Sequence, residues 1–208
     1  MWTSTYDDLL AHARSLIATT DRIPVIGISG HGGSGKSTLA EKLGADLGLT
    51  PDQVVPTDCF YATTCGPHAG MWEQHDWRLI EELVRTVRSV PAPDRLRFDY
   101  RWWTGQTGVE DHPMPPILII EGIRLIHDGT QDWFDLTVWI EVDPEVAGAR
   151  AKARNLLQGD DQEELDLWDT KWIPEGHAYA AEVDPARSAD LVLSASSALT
   201  DSSTIWVP

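Results

Sequence analysis

Short apolar runs and segments with helical periodicity alternate along the chain. Five runs have the length and hydrophobicity of strands that are buried on both faces of a sheet. These runs span residues 23–29, 53–56, 117–120, 136–142 and 189–193. Three segments between them repeat apolar residues at helical spacing, and they span residues 36–47, 76–90 and 144–157. Strands that alternate with helices predict an α/β fold with a five-stranded parallel sheet and helices on both of its faces.

The rest of the chain is organised around this core. Apolar residues at helical spacing behind Ser4 and Thr5, which can cap a helix, predict an N-terminal packing helix at about residues 5–20. The stretch 91–116 holds five prolines and predicts an irregular excursion from the sheet. The Ser- and Thr-rich end, residues 194–208, predicts either a frayed terminus or an edge strand. We therefore expect a single domain over residues 1–208.

The composition is that of a globular protein, with 42% hydrophobic and 24% charged residues. The 33 acidic residues outnumber the 16 Lys and Arg and give a formal net charge of -17 at pH 7. Such a chain repels phosphate backbones and anionic membrane surfaces, so neither nucleic acid nor a membrane is expected as a partner. The presence of only two cysteines, the acidic N-terminus and the lack of an apolar run of about 18 residues favour a cytoplasmic location.

A glycine-rich motif follows the first predicted strand. Residues 30–37 read G-H-G-G-S-G-K-S and match G-x-x-x-x-G-K-[ST] between a strand and a helix. In such a loop the backbone N–H groups point at phosphate oxygens, Lys36 reaches the β- and γ-phosphates, and Ser37 offers its hydroxyl to Mg²⁺. The residues expected to hold the nucleotide are Gly30, Gly32, Gly33, Ser34, Gly35, Lys36, Ser37 and Thr38. A Gly- and Ser-rich turn with a solvated lysine is the alternative interpretation.

The expected nucleotide is ATP, bound with Mg²⁺. A GTPase would also carry an N/T-K-x-D string that reads the base. The nearest string, at residues 170–173, is T-K-W-I and lacks the aspartate. The motif therefore predicts ATP rather than GTP.

Two carboxylates follow predicted strands at the edge where parallel strands present their ligands. Asp58 follows the second strand and suits a general base that takes the proton of an acceptor hydroxyl. Glu121 follows the third strand and suits a Mg²⁺ ligand that acts through water, together with Ser37. The alternatives are a turn or capping residue for Asp58 and an ordinary strand-end acid for Glu121.

Arg150 and Arg154 are four residues apart in the helix after the fourth strand and therefore share one helical face. In a phosphotransferase such side chains can close over ATP and stabilise charge on the phosphoryl group in transfer. Ion pairing with the many acidic residues, such as Asp143 and Glu145, is an equally good interpretation of each arginine.

In this order the motifs resemble those of the uridine kinase and phosphoribulokinase group of P-loop kinases, over about residues 23–194. The T-D-C-F-Y string at 57–61 is similar to the group's D-x-F-Y string, which carries the catalytic base. The E-G string at 121–122 and the A-D-L-V-L string at 189–193 also match. The resemblance implies a P-loop NTPase fold with strand order 2-3-1-4-5 and a lid region at about residues 150–172. It also implies transfer of the γ-phosphoryl group of ATP to a hydroxyl of a small metabolite, with a nucleoside as the first candidate.

The acceptor segments depart from the pattern of nucleoside kinases. Phe98 stands where the group offers a pocket tyrosine, and the D-H-P string is reduced to Q-H-D-W at residues 74–77. The group's lid arginines correspond to Arg150 and Arg154, and the E-R-G segment that follows them in the group is replaced here by L-Q-G-D-D at 157–161. The alternatives are a same-group kinase for pantothenate or a sugar derivative, and a non-catalytic ATP-binding switch. The residues expected to contact the acceptor are Tyr61, His75, Phe98, Arg101, Trp103 and Arg124.

The chain contains ten tryptophans. Four of them lie in the acceptor segments, where they either stack on the acceptor or form a core beneath the loop. These four are Trp72, Trp77, Trp102 and Trp103. Trp139, Trp168 and Trp172 are expected in the core, and His31 is expected to be a polar loop residue. The sequence leaves the oligomeric state open, and a homo-oligomer is compatible with it.

Overall fold

The computed structural model describes residues 4–194. In chain order the strands are β1 (Val25–Gly30), β2 (Val54–Pro56), β3 (Arg95–Arg101), β4 (Thr107–Pro113), β5 (Leu118–Gly122), β6 (Leu136–Glu141) and β7 (Leu191–Ser194). The helices are α1 (Tyr6–Thr19), α2 (Lys36–Asp46), α3 (Trp77–Val87), α4 (Pro144–Gln158), α5 (Gln162–Leu167), α6 (Ile173–Val183) and α7 (Pro185–Ser188).

Five of the strands form one parallel sheet in the order β2-β5-β1-β6-β7. This order matches the order 2-3-1-4-5 that was predicted for the five apolar runs, and the prediction is confirmed. In the centre, Ile28 of β1 lies opposite Glu121 of β5 on one side and opposite Val138 of β6 on the other. All six residues of β1 are buried, because helices cover both faces of the sheet at this strand.

The two faces of the sheet carry separate hydrophobic cores. Side chains of successive strand residues point to opposite faces. Ile119 of β5 therefore packs in the core that contains Leu9 of α1 and Leu43 of α2, whereas Ile120 packs in the core that contains Ile80 of α3. All five side chains are fully buried. Helices thus lie on both faces, as the alternation of strands and helices predicts.

The stretch 91–116 leaves the five-stranded sheet, as expected, but the prediction that it is irregular was wrong. It forms an antiparallel hairpin of β3 and β4, in which Phe98 pairs with Glu110. The turn between the strands contains Gly105 at a φ of 83°, a left-handed conformation that favours glycine. Leu96 is the one fully buried residue of the hairpin strands. The hairpin therefore lacks the apolar run by which the sheet strands were recognised.

A long helical region follows β6, and the sequence predicted only its first helix. Asp143 caps α4 through the N–H groups of Glu145 and Val146, and Gly159 ends α4 at a φ of 92°. Asp161 then begins α5 with a capping box that includes Glu164. A π-helical turn at Trp168–Trp172 joins α5 to α6 without a break.

Both ends of the described range lie at strand β7, where the N–H of Ser4 donates to the carbonyl oxygen of Val192 at 2.8 Å and Ser194 is the last strand residue. The N-terminal helix expected at about residues 5–20 corresponds to α1, whose N-cap is Thr5. Within residues 4–194 no helix is both long enough and apolar enough to cross a membrane. The predicted frayed terminus or edge strand at residues 194–208 lies outside the described residues beyond Ser194.

Candidate functional site

The glycine-rich loop between β1 and α2 is too tightly packed for side chains at several positions. A Cβ on Gly33 would lie 2.0 Å from the carbonyl oxygen of Ala147 in α4, and a Cβ on Gly30 would lie 2.5 Å from Ser34 Oγ. Gly35 is the N-cap of α2 and has a φ of 98°. The loop can therefore curl around its own N–H groups only because these positions are glycines.

Lys36 lies in the first turn of α2, with its side chain buried beneath the loop. Its Nζ donates a hydrogen bond of 3.1 Å to the carbonyl oxygen of His31. Burial lowers the pKa of Lys36, and the carboxylates of Glu121 and Asp58 oppose this shift. Ser34 Oγ is buried in the same loop without a hydrogen-bond partner. A buried cation and an unsatisfied hydroxyl in a curled loop are suited to an anionic ligand.

Ser37 and Glu121 bring two oxygen atoms together at the carboxyl end of the sheet. Ser37 Oγ donates a hydrogen bond of 2.9 Å to Glu121 Oε1. Burial raises the pKa of Glu121, and the charge of Lys36 counteracts part of this shift. A hydroxyl and a carboxylate are hard ligands of the kind that Mg²⁺ takes, with water and phosphate oxygens in its other positions. The donor set therefore fits the predicted magnesium.

Asp58 lies in the 3-10 turn that directly follows β2. Its carboxylate is 59% exposed, and its Oδ1 accepts a hydrogen bond of 3.3 Å from the hydroxyl of Tyr61. Desolvation tends to raise the pKa of Asp58, but His75 and the charge of Lys36 lower it further than desolvation raises it. An ionised, accessible carboxylate beside a cation has the properties of a general base at neutral pH.

One cavity of about 290 Å³ connects these groups. Most of the residues that the sequence predicted for the site line it. They are Gly30, Gly32, Gly33, Lys36, Ser37, Asp58, Tyr61, Trp103, Glu121, Arg124 and Arg154. The predicted residues outside this lining are Ser34, Gly35, Thr38, His75, Phe98, Arg101 and Arg150.

The two predicted arginines of α4 have different positions. Arg154 lines the cavity, and its guanidinium donates to Asn155 Oδ1 at 3.0 Å. The charge of Arg154 is close enough to Lys36 to lower the pKa of that lysine. Arg150 is exposed one turn earlier and does not line the cavity. The cavity therefore lies beside the C-terminal half of α4.

Three of the predicted acceptor residues lie outside the lining of the cavity. Phe98 packs against Phe60 at a ring-centroid distance of 5.4 Å and lines a second cavity of about 240 Å³. Arg101 contributes its carbonyl oxygen, which accepts from the N–H of Tyr61 at 3.1 Å. His75 lies behind Tyr61, with the two rings stacked at 5.1 Å. Arg101 and His75 therefore contact the lining residue Tyr61, and Phe98 lies in a different cavity.

An aromatic wall (Tyr61, Trp103 and Trp172) forms part of the cavity lining. Trp103 makes edge contacts with Tyr61 at 5.5 Å and with Trp172 at 5.8 Å. Trp103 comes from the hairpin turn and Trp172 from the helical region after α5. Of the other acceptor-segment tryptophans, Trp72 and Trp77 pack in an aromatic cluster outside the cavity lining. Trp103 thus has the position expected of a stacking residue.

The three tryptophans expected in the core are not equally buried. Trp139 and Trp168 are buried, as expected, although Trp168 also lines the cavity. Trp172 is half-buried and lines the cavity, so the expectation for it was wrong. A Cβ on Gly32 would lie 2.8 Å from the Trp168 ring, so this indole covers the glycine-rich loop. The i,i+4 spacing of Trp168 and Trp172 indicates a shared helical face, but not which surface that face covers.

His31 is buried rather than a polar loop residue, which corrects the expectation for it. Its ring makes an edge contact with Trp139 at 5.1 Å. Burial, with the charge of Lys36, lowers the pKa of His31 to about 4. The imidazole is therefore neutral at pH 7 and adds no charge to the loop.

A buried charge cluster (Arg124, Lys171 and Glu175) holds the helical region against the end of β5. Arg124 Nη2 donates to Glu175 Oε2 at 2.6 Å, and Lys171 Nζ donates to Glu175 Oε1 at 2.8 Å. The same two cations donate to the carbonyl oxygens of Met71 and Ala69 at 2.7 Å and 2.5 Å. Sequence analysis identified Arg124 alone, because no local pattern joins residues that are about fifty positions apart.

Comparison with known proteins shows what this chain is similar to in sequence and in fold. No protein-family model matches it. A uridine kinase of Limosilactobacillus reuteri (strain DSM 20016) is 24% identical over 151 residues, which cover 68% of this chain and 69% of that protein. The chain is thus similar to uridine kinases at low identity, and the predicted resemblance to the uridine kinase and phosphoribulokinase-like group is confirmed.

Solved structures give the same fold. A protein from Silicibacter sp. TM1040 assigned as a fructose transport system kinase superposes with a TM-score of 0.73 and 23% identity, over 91% of this chain and 98% of that one. D-glycerate 3-kinase from Cryptococcus neoformans var. grubii superposes with a TM-score of 0.63 and 12% identity, over 92% and 96% of the two chains. The α/β P-loop NTPase fold is confirmed.

Proposed function

We propose that the chain is a kinase that uses ATP and Mg²⁺ to phosphorylate a hydroxyl group of a small metabolite. The observation that carries this proposal is the shared cavity. It joins the buried Lys36 of the glycine-rich loop, the Ser37 and Glu121 oxygen pair, and the accessible carboxylate of Asp58. Phosphoryl transfer requires a phosphate cradle, a metal site and a base for the acceptor proton within reach of one another.

The nucleotide half of the site follows from the loop. Its N–H groups and the start of α2 bind the phosphates of ATP, and Lys36 leaves the carbonyl of His31 to contact the β- and γ-phosphate oxygens. Ser37 and Glu121 hold Mg²⁺, which neutralises phosphate charge when it is bound. Arg154 approaches the same phosphates from α4. Arg150, which lies outside the cavity lining, has the weaker case for a catalytic role.

The acceptor half lies between Asp58 and the aromatic wall. Asp58 takes the proton of the acceptor hydroxyl. The hydroxyl oxygen of the acceptor then bonds to the γ-phosphorus, while the bond between that phosphorus and the leaving oxygen of ADP breaks. Tyr61, Trp103 and Arg124 bound the space that the acceptor occupies. A non-catalytic switch requires neither a base at this position nor an acceptor space, so these features favour a kinase.

A nucleoside is the first candidate acceptor, because the similar protein from L. reuteri is a uridine kinase. The alternatives, a sugar derivative or pantothenate, stay open because Phe98 replaces a pocket tyrosine. The structural relatives include kinases named for fructose transport and for D-glycerate. We further propose a single domain that acts in the cytoplasm, where Cys59 and Cys65 would stay reduced.

A coupled assay of ADP release tests the proposal. The purified protein is incubated with Mg-ATP and a panel of nucleosides, sugars, D-glycerate and pantothenate, and Lys36→Ala serves as the background. Stimulation by one compound in the wild type, and not in the variant, is the expected result. If no compound stimulates ADP release although the protein binds ATP tightly, the non-catalytic switch is favoured instead.

A further inference from the structure

His75 occupies an unusual position directly behind the proposed base. Its backbone pairs with that of Tyr61 in an isolated antiparallel bridge, just before α3 begins. Its side chain is fully buried. The ring stacks on Tyr61 with an interplanar angle of 19° and tilts against Trp77 at 5.6 Å. The imidazole is therefore fixed by aromatic contacts on two sides.

Neither ring nitrogen of His75 has a hydrogen-bond partner. A buried donor or acceptor that is left unpaired costs about 1–3 kcal/mol. The carboxylate nearest to the ring is Asp58, whose Oδ1 lies 3.8 Å from His75 Nε2. This distance exceeds that of a hydrogen bond, but a small rotation of the exposed carboxylate would close it. Catalytic hydrogen bonds are often long without substrate and shorten in the reactive complex.

We propose that His75 is a positioning residue for Asp58, and that its Nε2–H binds one carboxylate oxygen while the other oxygen receives the acceptor proton. This inference rests on the proposed function. Asp58 remains the group that accepts the proton, and His75 neither gains nor loses one. Tyr61 donates to the same carboxylate at 3.3 Å, so two donors would fix its orientation.

The ionisable groups that face Asp58 come from several elements. They are Lys36 of α2, Cys59 and Tyr61 of the turn after β2, His75, and Glu121 of β5. Lys36, Tyr61 and His75 favour the ionised carboxylate, and Glu121 opposes it. Because a donor beside a carboxylate favours its ionised form, loss of the His75 ring nitrogens raises the pKa of Asp58. As the pH is lowered, the carboxylate of the variant is protonated earlier, so its turnover begins to fall at a higher pH than turnover of the wild type.

The test compares pH profiles of kcat/KM in three proteins with the acceptor that the ADP-release assay identifies. His75→Phe keeps an aromatic ring against Tyr61 but removes both nitrogens. We expect its acidic limb to move up by about one pH unit and kcat to fall about tenfold. His75→Gln places an amide N–H near the site of Nε2 and should restore most of both. ATP affinity should stay unchanged in either variant.

His127→Phe is the matched control. This histidine packs on Trp72 and Trp77 and also has a buried ring nitrogen without a partner. It does not line the cavity, so its replacement should leave the acidic limb in place. An unchanged profile in His75→Phe, measured on an active and folded enzyme, overturns the role of His75 alone. Absence of acceptor-dependent turnover in the wild type means instead that the proposed function has failed.

A second measurement needs no turnover and covers the case in which His75→Phe does not fold. The Nε2–H proton of His75 is observed by NMR in the wild type and in Asp58→Asn, with ATP binding as the check on folding. We expect its resonance to lie further downfield in the wild type, because a carboxylate accepts a stronger hydrogen bond than an amide oxygen does. The same chemical shift in both proteins contradicts the pairing of His75 with Asp58.

Discussion

Ser37 Oγ and Glu121 Oε1 lie 2.9 Å apart, which joins the first turn of α2 to the end of β5. The contact exists because β1 and β5 are neighbours, so that the residue after the glycine-rich loop meets the carboxyl end of the adjacent strand. Glu121 is almost fully buried, and burial raises the pKa of its carboxyl group. A bound divalent cation would stabilise the ionised carboxylate and so offset the free-energy cost of burying its charge.

Glu121→Gln should weaken the binding of the magnesium that turnover requires. The amide keeps the size of the side chain but removes the negative charge that attracts the cation. We expect the Mg²⁺ concentration for half-maximal turnover to rise about 10-fold to 100-fold. Glu141→Gln is the control, because Glu141 ends strand β6, on the other side of β1, and accepts a hydrogen bond from Trp139 Nε1 instead. Equal magnesium dependence in the Glu121 variant and the wild type would remove Glu121 from the metal site.

Arg154→Ala should lower turnover more than it weakens ATP binding. The guanidinium that lines the cavity is expected to meet charge that develops on the phosphoryl group during transfer. Loss of such a donor typically costs about 100-fold in kcat. Arg150→Ala is the matched control, one turn away on the same helix and outside the cavity lining. Comparable losses in both variants would assign the effect to the charge of α4 as a whole.

Glu175→Gln should destabilise the fold strongly, because two buried cations would lose their shared carboxylate. Arg124 and Lys171 are 4% and 8% exposed. Breaking a buried ion pair on one side costs about 3–5 kcal/mol in the free energy of unfolding. Urea denaturation measures the difference between variant and wild type.

Glu81→Gln provides the comparison for Glu175→Gln. Glu81 pairs with Arg85 on the exposed face of α3, where the two side chains are 45% and 75% exposed. An exposed pair of this kind contributes at most about 1 kcal/mol. Equal stabilities of the Glu81 and Glu175 variants would mean that the buried cluster does not hold the helical region in place.

The sequence predicts the carboxyl edge of the sheet well. Asp58 and Glu121 each follow a predicted apolar strand, and Lys36 follows the loop after another. The carboxyl ends of parallel strands lie at one edge of the sheet. Their side chains line one cavity, and this can be predicted without knowing any long-range contact. Strand order was equally predictable, because the resemblance supplied it and the buried runs are distinct.

The rest of the site depends on contacts that no local pattern encodes. The burial of Trp168 is predictable from helical spacing, but the surface that its face covers is not. The structure places that face over Gly32 and the cavity. Glu175 was missed because its partners, Arg124 and Lys171, come together only when the helical region folds back on β5. The hairpin was missed because the stretch that contains Leu96 has no continuous apolar run.

Asp58→Asn tests the central claim, that a carboxylate after β2 serves as the base of a phosphoryl transfer. The amide keeps the size of the side chain but cannot accept the acceptor's proton. Removal of a general base typically costs about 100-fold to 10,000-fold in rate, or roughly 3 to 5 kcal/mol. ATP affinity should be unchanged or higher, since a negative charge that faces Lys36 is lost.

The decisive measurement is acceptor-dependent turnover and ATP binding on one preparation of Asp58→Asn, with thermal unfolding as the control for folding. The kinase account predicts that turnover falls at least about 100-fold, while ATP still binds as it does to the wild type. Turnover within about threefold of the wild type would contradict the account, because the base would then have to lie elsewhere.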